Sequence, residues 1–223
     1  LNCFMPDKTE LVSVIMNAWY MHNKSAWPPS PYINPLLISM HFVNDEKGDT
    51  GEKYITGLGG EYLNKYGPVG ARDISTMELL RKNNINTYFS GCMTLTLQKF
   101  ENVTKGDYIC VADTDEKVLQ KIKENTDKEV KITTHNRNPE IMKNKTIDER
   151  MKEVEKQLKL YQGAALIITE RLHVALPALA LETPVILIRN NNTDPTEVNR
   201  FISLGELTNN CNLDEFLSKD VRL

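Results

Sequence analysis

The sequence lacks the features of two broad classes of protein, the membrane-spanning and the nucleic-acid-binding. No apolar run reaches the ~20 residues that a transmembrane helix needs, and residues 1–17 lack the basic start and long apolar stretch of a signal peptide. The formal net charge is −3, so there is no basic excess for a broad nucleic-acid surface. We therefore expect a soluble chain that binds no nucleic acid.

Cysteine is scarce, and two common cofactor motifs are missing. The 4 cysteines are scattered, and none has the spacing of metal ligands, so we predict no metal site. Scattered cysteines fit a reducing cytosol, and the predicted location is cytoplasmic. Neither a G-x-G-x-x-G fingerprint nor a P-loop occurs, which argues against dinucleotide and ATP chemistry.

What is present is a repeated alternation of strand and helix patterns. The 223 residues are 40% hydrophobic and 26% charged, which is typical of a globular protein with a real core. The alternation runs twice, and the polar stretch 98–106 separates the two series. We predict an α/β fold of two Rossmann-like half-domains, 1–98 and 99–223, that face each other across a ligand-binding cleft.

The individual elements follow from apolar periodicity. Strands are predicted at 11–17, 36–42, 69–72, 85–89, 107–112, 129–134, 164–169 and 184–188, and helices at 61–66, 76–82, 116–125, 147–161, 172–181 and 212–218. Met93–Leu97 is predicted to be extended and 136–145 to be a polar loop. Pro177 predicts a kink or a late start in the helix 172–181. Almost nothing precedes the first strand, so we expect an N-terminal segment to be missing.

The strongest signal for a site is the turn Thr169–His173, which joins an apolar strand to a helix rich in Ala and Leu. Open parallel sheets bind ligands at the carboxyl ends of their strands, where this turn lies. Arg171 and His173 beside a helix N-terminus suit an anion. A structural alternative has equal weight, in which Arg171 pairs with Glu170 or caps a neighbouring element and His173 is a core histidine.

A second group of candidate residues follows the strands of the first half. The loop after the first strand is rich in aromatic residues and contains Trp19, Tyr20, His22 and Trp27. This loop forms either a sugar platform or a packed surface segment, and the sequence does not decide between them. His41 lies at the carboxyl end of the next strand, and Asp73 is interpreted as a helix cap rather than a catalytic residue.

Four stretches together resemble the polysaccharide pyruvyl transferase family. They are TERLHVALPALALETPVILI (169–188), GARDISTMELL (70–80), INTYFSGCMTLTL (85–97), and AWYMHN followed by WPPSP (18–31). The resemblance implies a GT-B-like fold of two domains. It also implies transfer of the pyruvyl group of phosphoenolpyruvate, as a cyclic ketal, to a sugar of a cell-surface polysaccharide or its lipid-linked precursor.

The resemblance assigns roles to particular residues. Arg171, Leu172 and His173 match the motif that contacts phosphoenolpyruvate, and Arg72 matches a second ligand of this donor. Two arginines can bind the carboxylate and the phosphate bidentately. His173 can serve as a general acid, or it can act as a base or bind the phosphate.

The implied partners are the donor phosphoenolpyruvate and a sugar acceptor, with no cofactor. The acceptor would lie against the first half, lined by Trp19, His22 and His41, and the donor would lie against the second half. Any membrane contact would be peripheral, through a lipid-linked acceptor, and the oligomeric state is left open. Relatives carry an N-terminal Gly-Asp-containing unit and a Pro/Asn-rich tail that are absent here, which predicts a fragment or a shortened member.

Two other functions stay open at this point. A GT-B-type nucleotide-sugar glycosyltransferase shares the architecture, and an arginine can bind the diphosphate of its donor. A non-catalytic module that binds sugars or anions would use the same residues without turnover. Comparing the binding of phosphoenolpyruvate with that of a UDP-sugar distinguishes a pyruvyl transferase from a glycosyltransferase. Release of phosphate that depends on an acceptor distinguishes a pyruvyl transferase from a binding module.

Overall fold

The chain forms two compact units in a computed structural model that describes residues 10–17, 19–20, 27–43, 51–189, 201 and 203–219. The first unit holds 10–93 with residues 201, 203 and 204, and the second holds 94–189 with 205–219. All paired strands in the described ranges are parallel, which confirms the predicted α/β class. The boundary at 98/99 and the GT-B arrangement of the two halves stay predictions.

The first unit is built on short parallel strands. They are β1 (Val12–Met16), β2 (Trp19–Tyr20), β3 (Ile33–Leu37), β4 (His41–Phe42), β5 (Val69–Ala71) and β6 (Thr87–Phe89). β1 pairs with β3, β2 with β4, and β5 with β6. A parallel bridge between Met40 and Ala71 places the segment before β4 beside β5. The residues of β4 therefore lie beside the residues that follow β5.

Helices of the first unit cover a core that is rich in aromatic residues. The helices are α1 (Glu52–Ile55), α2 (Gly57–Tyr66) and α3 (Ile74–Lys82). Trp27 packs against this core with its ring edge-on to the rings of Phe42, Tyr54 and Tyr62. Its indole N–H donates to the carbonyl oxygen of Tyr54 at 2.8 Å. Trp27 therefore packs against the core and does not form an open platform for a sugar.

The second unit contains one five-stranded parallel sheet. Its strands are β7 (Tyr108–Ala112), β8 (Glu129–Thr133), β9 (Leu166–Thr169), β10 (Val185–Arg189) and β11 (Asn209–Asn212), in the order β11-β10-β9-β7-β8. The chain leaves β7 toward β8 on one side, and the later strands are added on the other side. The strand order thus reverses between β7 and β9, which is the position where doubly wound sheets open a crevice for ligands.

Helices follow the strands of this unit. They are α4 (Glu116–Glu124), α5 (Pro139–Lys143), α6 (Ile147–Gly163), α7 (Leu172–Ala180) and α8 (Leu213–Ser218). All of them except the short α5 bury at least one apolar or aromatic side chain. Thr146 and Glu149 form a capping box at the start of α6. α6 is only partly buried, because Tyr161 is 1% exposed whereas Met151 and Val154 are more than half exposed.

Three of the predicted elements were wrong in detail. Met93–Leu97 is not extended, since Met93–Thr96 forms a 3-10 helix. The strand predicted at 36–42 is interrupted at Ser39, whose φ is 53° and whose hydroxyl donates to the carbonyl oxygen of Gly91 at 2.6 Å. The polar loop 136–145 contains α5, because Asn138 caps a helix that begins with proline.

The interpretation of Pro177 is also corrected in part. α7 begins directly at Leu172, so a late start near Pro177 is wrong. The proline lies inside the helix, where it supplies no N–H to the carbonyl oxygen of His173. The remaining strands and helices that were predicted agree with the structure to within a few residues, apart from the earlier start of α2. No helix in the described ranges combines the length and the apolar composition needed to cross a bilayer.

Burial of the central strand predicts a large difference between two isoleucines of the same sheet. Ile168 in β9 is fully buried, and Ile132 in β8 is 59% exposed. Ile168→Ala should lower the free energy of unfolding by about 2–5 kcal/mol, because it leaves a cavity. Ile132→Ala should cost less than about 1 kcal/mol. Urea denaturation of both variants tests this, and equal losses would contradict the burial described here.

Candidate functional site

The candidate site lies at the carboxyl ends of the three strands that flank the reversal of strand order. Ala112 of β7 pairs with Thr169 of β9 on one side and with Thr133 of β8 on the other. The residues that follow these strands therefore leave the sheet at the same edge. Polar side chains from all three exits meet there, and Asp113 connects them.

Asp113 joins the segments that follow the two neighbouring strands. It accepts hydrogen bonds from the segment after β8 and forms an ion pair with an arginine after β9. Its Oδ1 lies 2.5 Å from the hydroxyl of Thr134, and its Oδ2 lies 2.9 Å from the backbone nitrogen of His135. The same Oδ2 lies 2.6 Å from Nε of Arg171. Asp113 has a φ of 50°, a left-handed conformation that Asp and Asn tolerate better than most residues.

The electrostatic balance at Asp113 favours the carboxylate. Burial by itself would raise the pKa, since the side chain is only 9% exposed. The hydroxyl of Thr134, the N–H of His135 and the charge of Arg171 act in the opposite direction, and together they hold the pKa of Asp113 below its usual value. The carboxylate is therefore a fixed negative charge against which Arg171 is held.

Arg171 occupies the N-cap position of α7 with an extended backbone. Its backbone N–H donates to Oγ1 of Thr169 at 3.0 Å, and that hydroxyl donates to the carbonyl oxygen of Ala112 at 2.8 Å. Nη2 donates to Oδ1 of Asn136 at 2.7 Å. The side chain is 41% exposed, and Nη1 has no partner in the part of the chain that the structure describes. A bound anion could therefore use the free end of the guanidinium.

The structural alternative for Arg171 named Glu170 as its partner, and the structure does not have that pair. Arg171 pairs with Asp113, while Oε1 of Glu170 accepts from the backbone N–H of Asp115 at 2.6 Å. The ion pair of Arg171 thus orients its side chain along the strand ends rather than toward its neighbour in sequence.

His173 lines a pocket of about 430 Å³ within the second unit. The walls are mostly apolar, and the polar lining includes two arginines and a second histidine: His173, His135, Arg137, Arg150, Gln157 and Glu153. The one carboxylate among them, Glu153, pairs with Lys145. The pocket therefore offers mainly hydrogen-bond donors and positive charge, which suits an anionic ligand.

His135 connects this pocket to the strand ends. Its backbone N–H binds Asp113, while its ring Nε2 lies 2.8 Å from the hydroxyl of Tyr161. Burial lowers the pKa of His135; the carboxylate of Asp113 opposes this, and the charges of Arg171 and Arg137 lower the pKa further. The imidazole is thus biased toward its neutral form. Burial also raises the pKa of Tyr161, which keeps the phenol protonated.

In the first unit, His41 and Asp73 form a buried pair. Nδ1 of His41 lies 2.5 Å from Oδ2 of Asp73, and both side chains are at most 2% exposed. Oδ1 of Asp73 accepts from the backbone N–H of Thr76 at 2.9 Å and from the hydroxyl of Ser75 at 2.8 Å. Burial would raise the pKa of Asp73, but His41 and these donors hold it below its usual value. Asp73 is the predicted helix cap and also the partner of His41.

Arg72 follows β5 and is 7% exposed. Its backbone N–H donates to the carbonyl oxygen of Met40 at 2.9 Å, and its Nε lies 3.7 Å from Oδ2 of Asp73. The structure thus brings Arg72 and His41 to the same carboxylate. Arg72 and Arg171 belong to different units, and their joint use of one donor stays a prediction.

The other predicted site residues are placed less completely. The backbone of Trp19 lies in β2 opposite His41, whereas its side chain and the whole of His22 lie outside the described residues. Leu172 is 2% exposed, so its side chain packs in the protein interior. Its predicted contact with the donor would have to come from the backbone.

Asp113 and His135 directly follow strands that the sequence predicts, but neither was assigned a role, and Arg137, Gln157 and Tyr161 were overlooked. The signal for Asp113 and His135 was their position after predicted strands, the same signal that selected Arg171. The described residues contain no group of three or more His, Cys, Asp or Glu side chains that could hold a metal ion.

Comparison with known protein families gives a match that covers most of the chain. The family model for polysaccharide pyruvyl transferase matches residues 42–192, which is more than half of the 223 residues. The match includes Arg72, the carboxyl ends of β7, β8 and β9, and the stretch 171–173. A search of curated proteins returned no significant match.

The charge of Asp113 can be tested with an isosteric change. Asp113→Asn keeps the shape and tolerates the positive φ, but it removes the charge that Arg171 faces. We expect a loss of about 1–3 kcal/mol in the free energy of unfolding at pH 7. Because the folded pKa is lowered, this difference should persist above the unfolded value of about 3.9 and disappear as pH falls through the folded pKa.

Asp115→Asn is the matched control, since Asn caps α4 as well as Asp does and Asp115 is exposed. Denaturant unfolding from pH 7 down to pH 3 measures both variants. A loss for Asp113→Asn that is no larger than that of the control, or that does not change with pH, would contradict the role of the charge.

Two substitutions at Asp73 separate its two roles. Asp73→Asn keeps an oxygen that can cap α3 through Thr76 but loses the charge facing His41, whereas Asp73→Ala loses both. We expect Asp73→Ala to be less stable than Asp73→Asn by about 1 kcal/mol, the usual value of a cap. Denaturant unfolding provides the measurement, and equal stabilities would show that the cap contributes nothing.

Proposed function

Because the chain belongs to the polysaccharide pyruvyl transferase family, we propose that it transfers the pyruvyl group of phosphoenolpyruvate to a sugar. The acceptor would be part of a cell-surface polysaccharide or its lipid-linked precursor, and the product a cyclic ketal. Membership indicates pyruvyl transfer to a polysaccharide in general. The donor, the acceptor, the ketal linkage and a cytoplasmic location are parts of the proposal.

The observation that carries the proposal is the ion pair of Arg171 with Asp113 at the reversal of strand order. The pair uses Nε and leaves Nη1 for a ligand, so Arg171 is oriented before the ligand arrives. Phosphoenolpyruvate carries a carboxylate and a phosphate, and a planar guanidinium binds either group bidentately. An anionic donor therefore suits this edge of the sheet.

His173 supports the same proposal from the neighbouring pocket. It lines that pocket together with Arg137 and Arg150, whose positive charges suit an anion. Histidine titrates near neutral pH and can move a proton during turnover. We assign it the proton that is added to the methylene carbon of the donor.

The chemistry balances without any further reactant. A proton is added to the methylene carbon, and a sugar hydroxyl bonds to the central carbon and gives up its own proton. A second hydroxyl then bonds to the same carbon as the carbon–oxygen bond to phosphate breaks, and its proton leaves with the phosphate. One hydroxyl proton replaces the one delivered to carbon, so His173 ends the cycle in the state in which it began.

In this proposal the first unit binds the acceptor. His41, in β4, and Arg72, at the exit of β5, meet at the carboxylate of Asp73. We assign His41 to the acceptor, whereas Arg72 keeps its predicted role as the second ligand of the donor. Trp19 and His22 complete the predicted set for the acceptor. The contact of Leu172 with the donor, through its backbone, is part of the same proposal.

The first experiment compares ligands on the wild-type protein. We expect phosphoenolpyruvate to raise the melting temperature and a UDP-sugar to leave it unchanged, because ligands stabilise the state that binds them. Phosphate release should then require an acceptor polysaccharide. Stabilisation by the UDP-sugar alone would favour a glycosyltransferase, and donor binding without phosphate release over a broad acceptor screen would favour a binding module.

Two variants should separate binding from chemistry. Arg171→Lys replaces a planar fork with a point charge, and it should weaken phosphoenolpyruvate binding about ten- to hundredfold. His173→Gln can keep a hydrogen bond but cannot carry a proton at neutral pH. It should lower turnover about 10²–10⁴-fold with little change in donor affinity.

Arg81→Lys, at an exposed position of α3, is the control for the arginine change. Calorimetry gives the affinities and phosphate release gives the rates, with the melting temperature of each variant as the check on folding. A folded His173→Gln protein with the parental rate would refute the proton-transfer role, and an Arg171→Lys protein with the parental affinity would refute the donor site.

A further inference from the structure

A chain of hydrogen bonds beside His173 takes no part in the reaction as proposed so far. Nη2 of Arg137 lies 2.9 Å from Oε1 of Gln157, and Nε2 of Gln157 lies 2.7 Å from the hydroxyl oxygen of Tyr161. That oxygen lies 2.8 Å from Nε2 of His135. All four residues line the same pocket as His173.

The direction of each bond follows from the groups that make it. A guanidinium only donates, so Oε1 of Gln157 accepts from Arg137, and the amide NH₂ of Gln157 faces Tyr161. That NH₂ also only donates, so the oxygen of Tyr161 accepts from it. The proton of Tyr161 then needs an acceptor, and Nε2 of His135 is the one within reach in the described part of the chain.

This order of donors fixes the proton on the imidazole of His135. Nε2 accepts from Tyr161 and carries no proton, so the neutral ring carries its proton on Nδ1. Protonation of Nε2 would leave the hydroxyl proton of Tyr161 without an acceptor. Asp113 is the negative group at His135, and it is already paired with Arg171.

We propose that His135 is a donor-binding residue, held as the Nδ1–H tautomer by Arg137, Gln157 and Tyr161, and that this N–H donates to an anionic oxygen of the ligand in the pocket. The identity of the ligand, phosphoenolpyruvate, rests on the proposed function. Nδ1 of His135 has no partner within the described ranges. A neutral donor keeps one protonation state while His173 exchanges its proton.

Asp113 fixes the position of His135 relative to Arg171. One oxygen of its carboxylate contacts both Nε of Arg171 and the backbone N–H of His135. The two groups assigned to the donor are therefore held at the same carboxylate, from strand ends on opposite sides of β7. The tautomer determines which nitrogen of His135 can donate, and Asp113 determines where the residue lies.

The proton position can be measured directly by ¹⁵N–¹H correlation spectra of histidine-labelled full chain. The sequence has 4 histidines, and His135→Asn identifies the signals of His135 by their loss. We expect the Nδ1–H tautomer in the wild-type protein. In Gln157→Glu the carboxylate accepts from Tyr161, so the hydroxyl oxygen becomes free to accept, and the proton should appear on Nε2 of His135.

Gln98→Glu is the control, because it makes the same change at an exposed position of the same unit, outside the pocket lining. It should leave the His135 signals unmoved. Tyr161→Phe is a second test, and it adds no charge. Because it removes the hydroxyl that donates to Nε2 of His135, the preference of His135 for the Nδ1–H tautomer should be lost. If that buried substitution prevents folding, the wild-type and Gln157→Glu spectra decide alone.

A pair of substitutions tests donation to the ligand. The side-chain nitrogen of Asn occupies the place of Nδ1, whereas that of Gln occupies the place of Nε2. His135→Gln should therefore bind phosphoenolpyruvate at least about tenfold more weakly than His135→Asn. Addition of phosphoenolpyruvate to the wild-type protein should also shift the Nδ1–H signal of His135.

The outcomes separate this proposal from the proposed function. An Nε2–H tautomer in the wild-type protein overturns the proposal, and so does a His135 signal that stays unmoved while phosphoenolpyruvate saturates the protein. Equal affinities of His135→Asn and His135→Gln overturn it as well. Absence of any calorimetric binding of phosphoenolpyruvate to the wild-type protein, with the Nδ1–H tautomer intact, refutes the proposed function and removes the ligand on which the proposal rests.

Discussion

The ion pair between Asp113 and Arg171 is the interaction on which the candidate site depends. It joins the ends of β7 and β9, the two strands between which the order of the sheet reverses. Its carboxylate is nearly buried, while the guanidinium remains partly exposed. Removal of either partner would leave the other charge uncompensated at the edge of the sheet. The pair therefore restricts Arg171 to one orientation and leaves the free end of its guanidinium for a ligand.

The second unit gathers groups that donate hydrogen bonds. Arg137, Arg150 and the two histidines line the pocket, and Glu153 is engaged by Lys145. The hydrogen bonds of the lining residues also run in a consistent direction, from Arg137 toward the ring of His135. Such a lining discriminates by charge, since it stabilises anions and offers little to a cation. This is the physical basis for the choice of an anionic donor.

Apolar runs and turn residues predicted most of the strands and helices because local patterns determine them. The turn at Arg171 was identified because strand ends collect ligands in parallel sheets. The contact with Asp113 was not predicted, because it depends on which strands become neighbours, and strand order is a long-range property. The hydrogen bonds that run from Arg137 to His135 were missed for the same reason, since they join the loop after β8 to side chains of α6. Ser39 interrupts a predicted strand through a tertiary bond to Gly91 that no local pattern reveals.

Hydrogen–deuterium exchange with phosphoenolpyruvate tests the central claim most directly, because it reports where the ligand binds without any substitution. We expect slower exchange of backbone amides at 113–114, 134–137 and 171–174 when phosphoenolpyruvate is added, and no change when a UDP-sugar is added. Slower exchange confined to other segments, or the same protection with the UDP-sugar in place of phosphoenolpyruvate, would contradict a donor site at the ends of β7, β8 and β9.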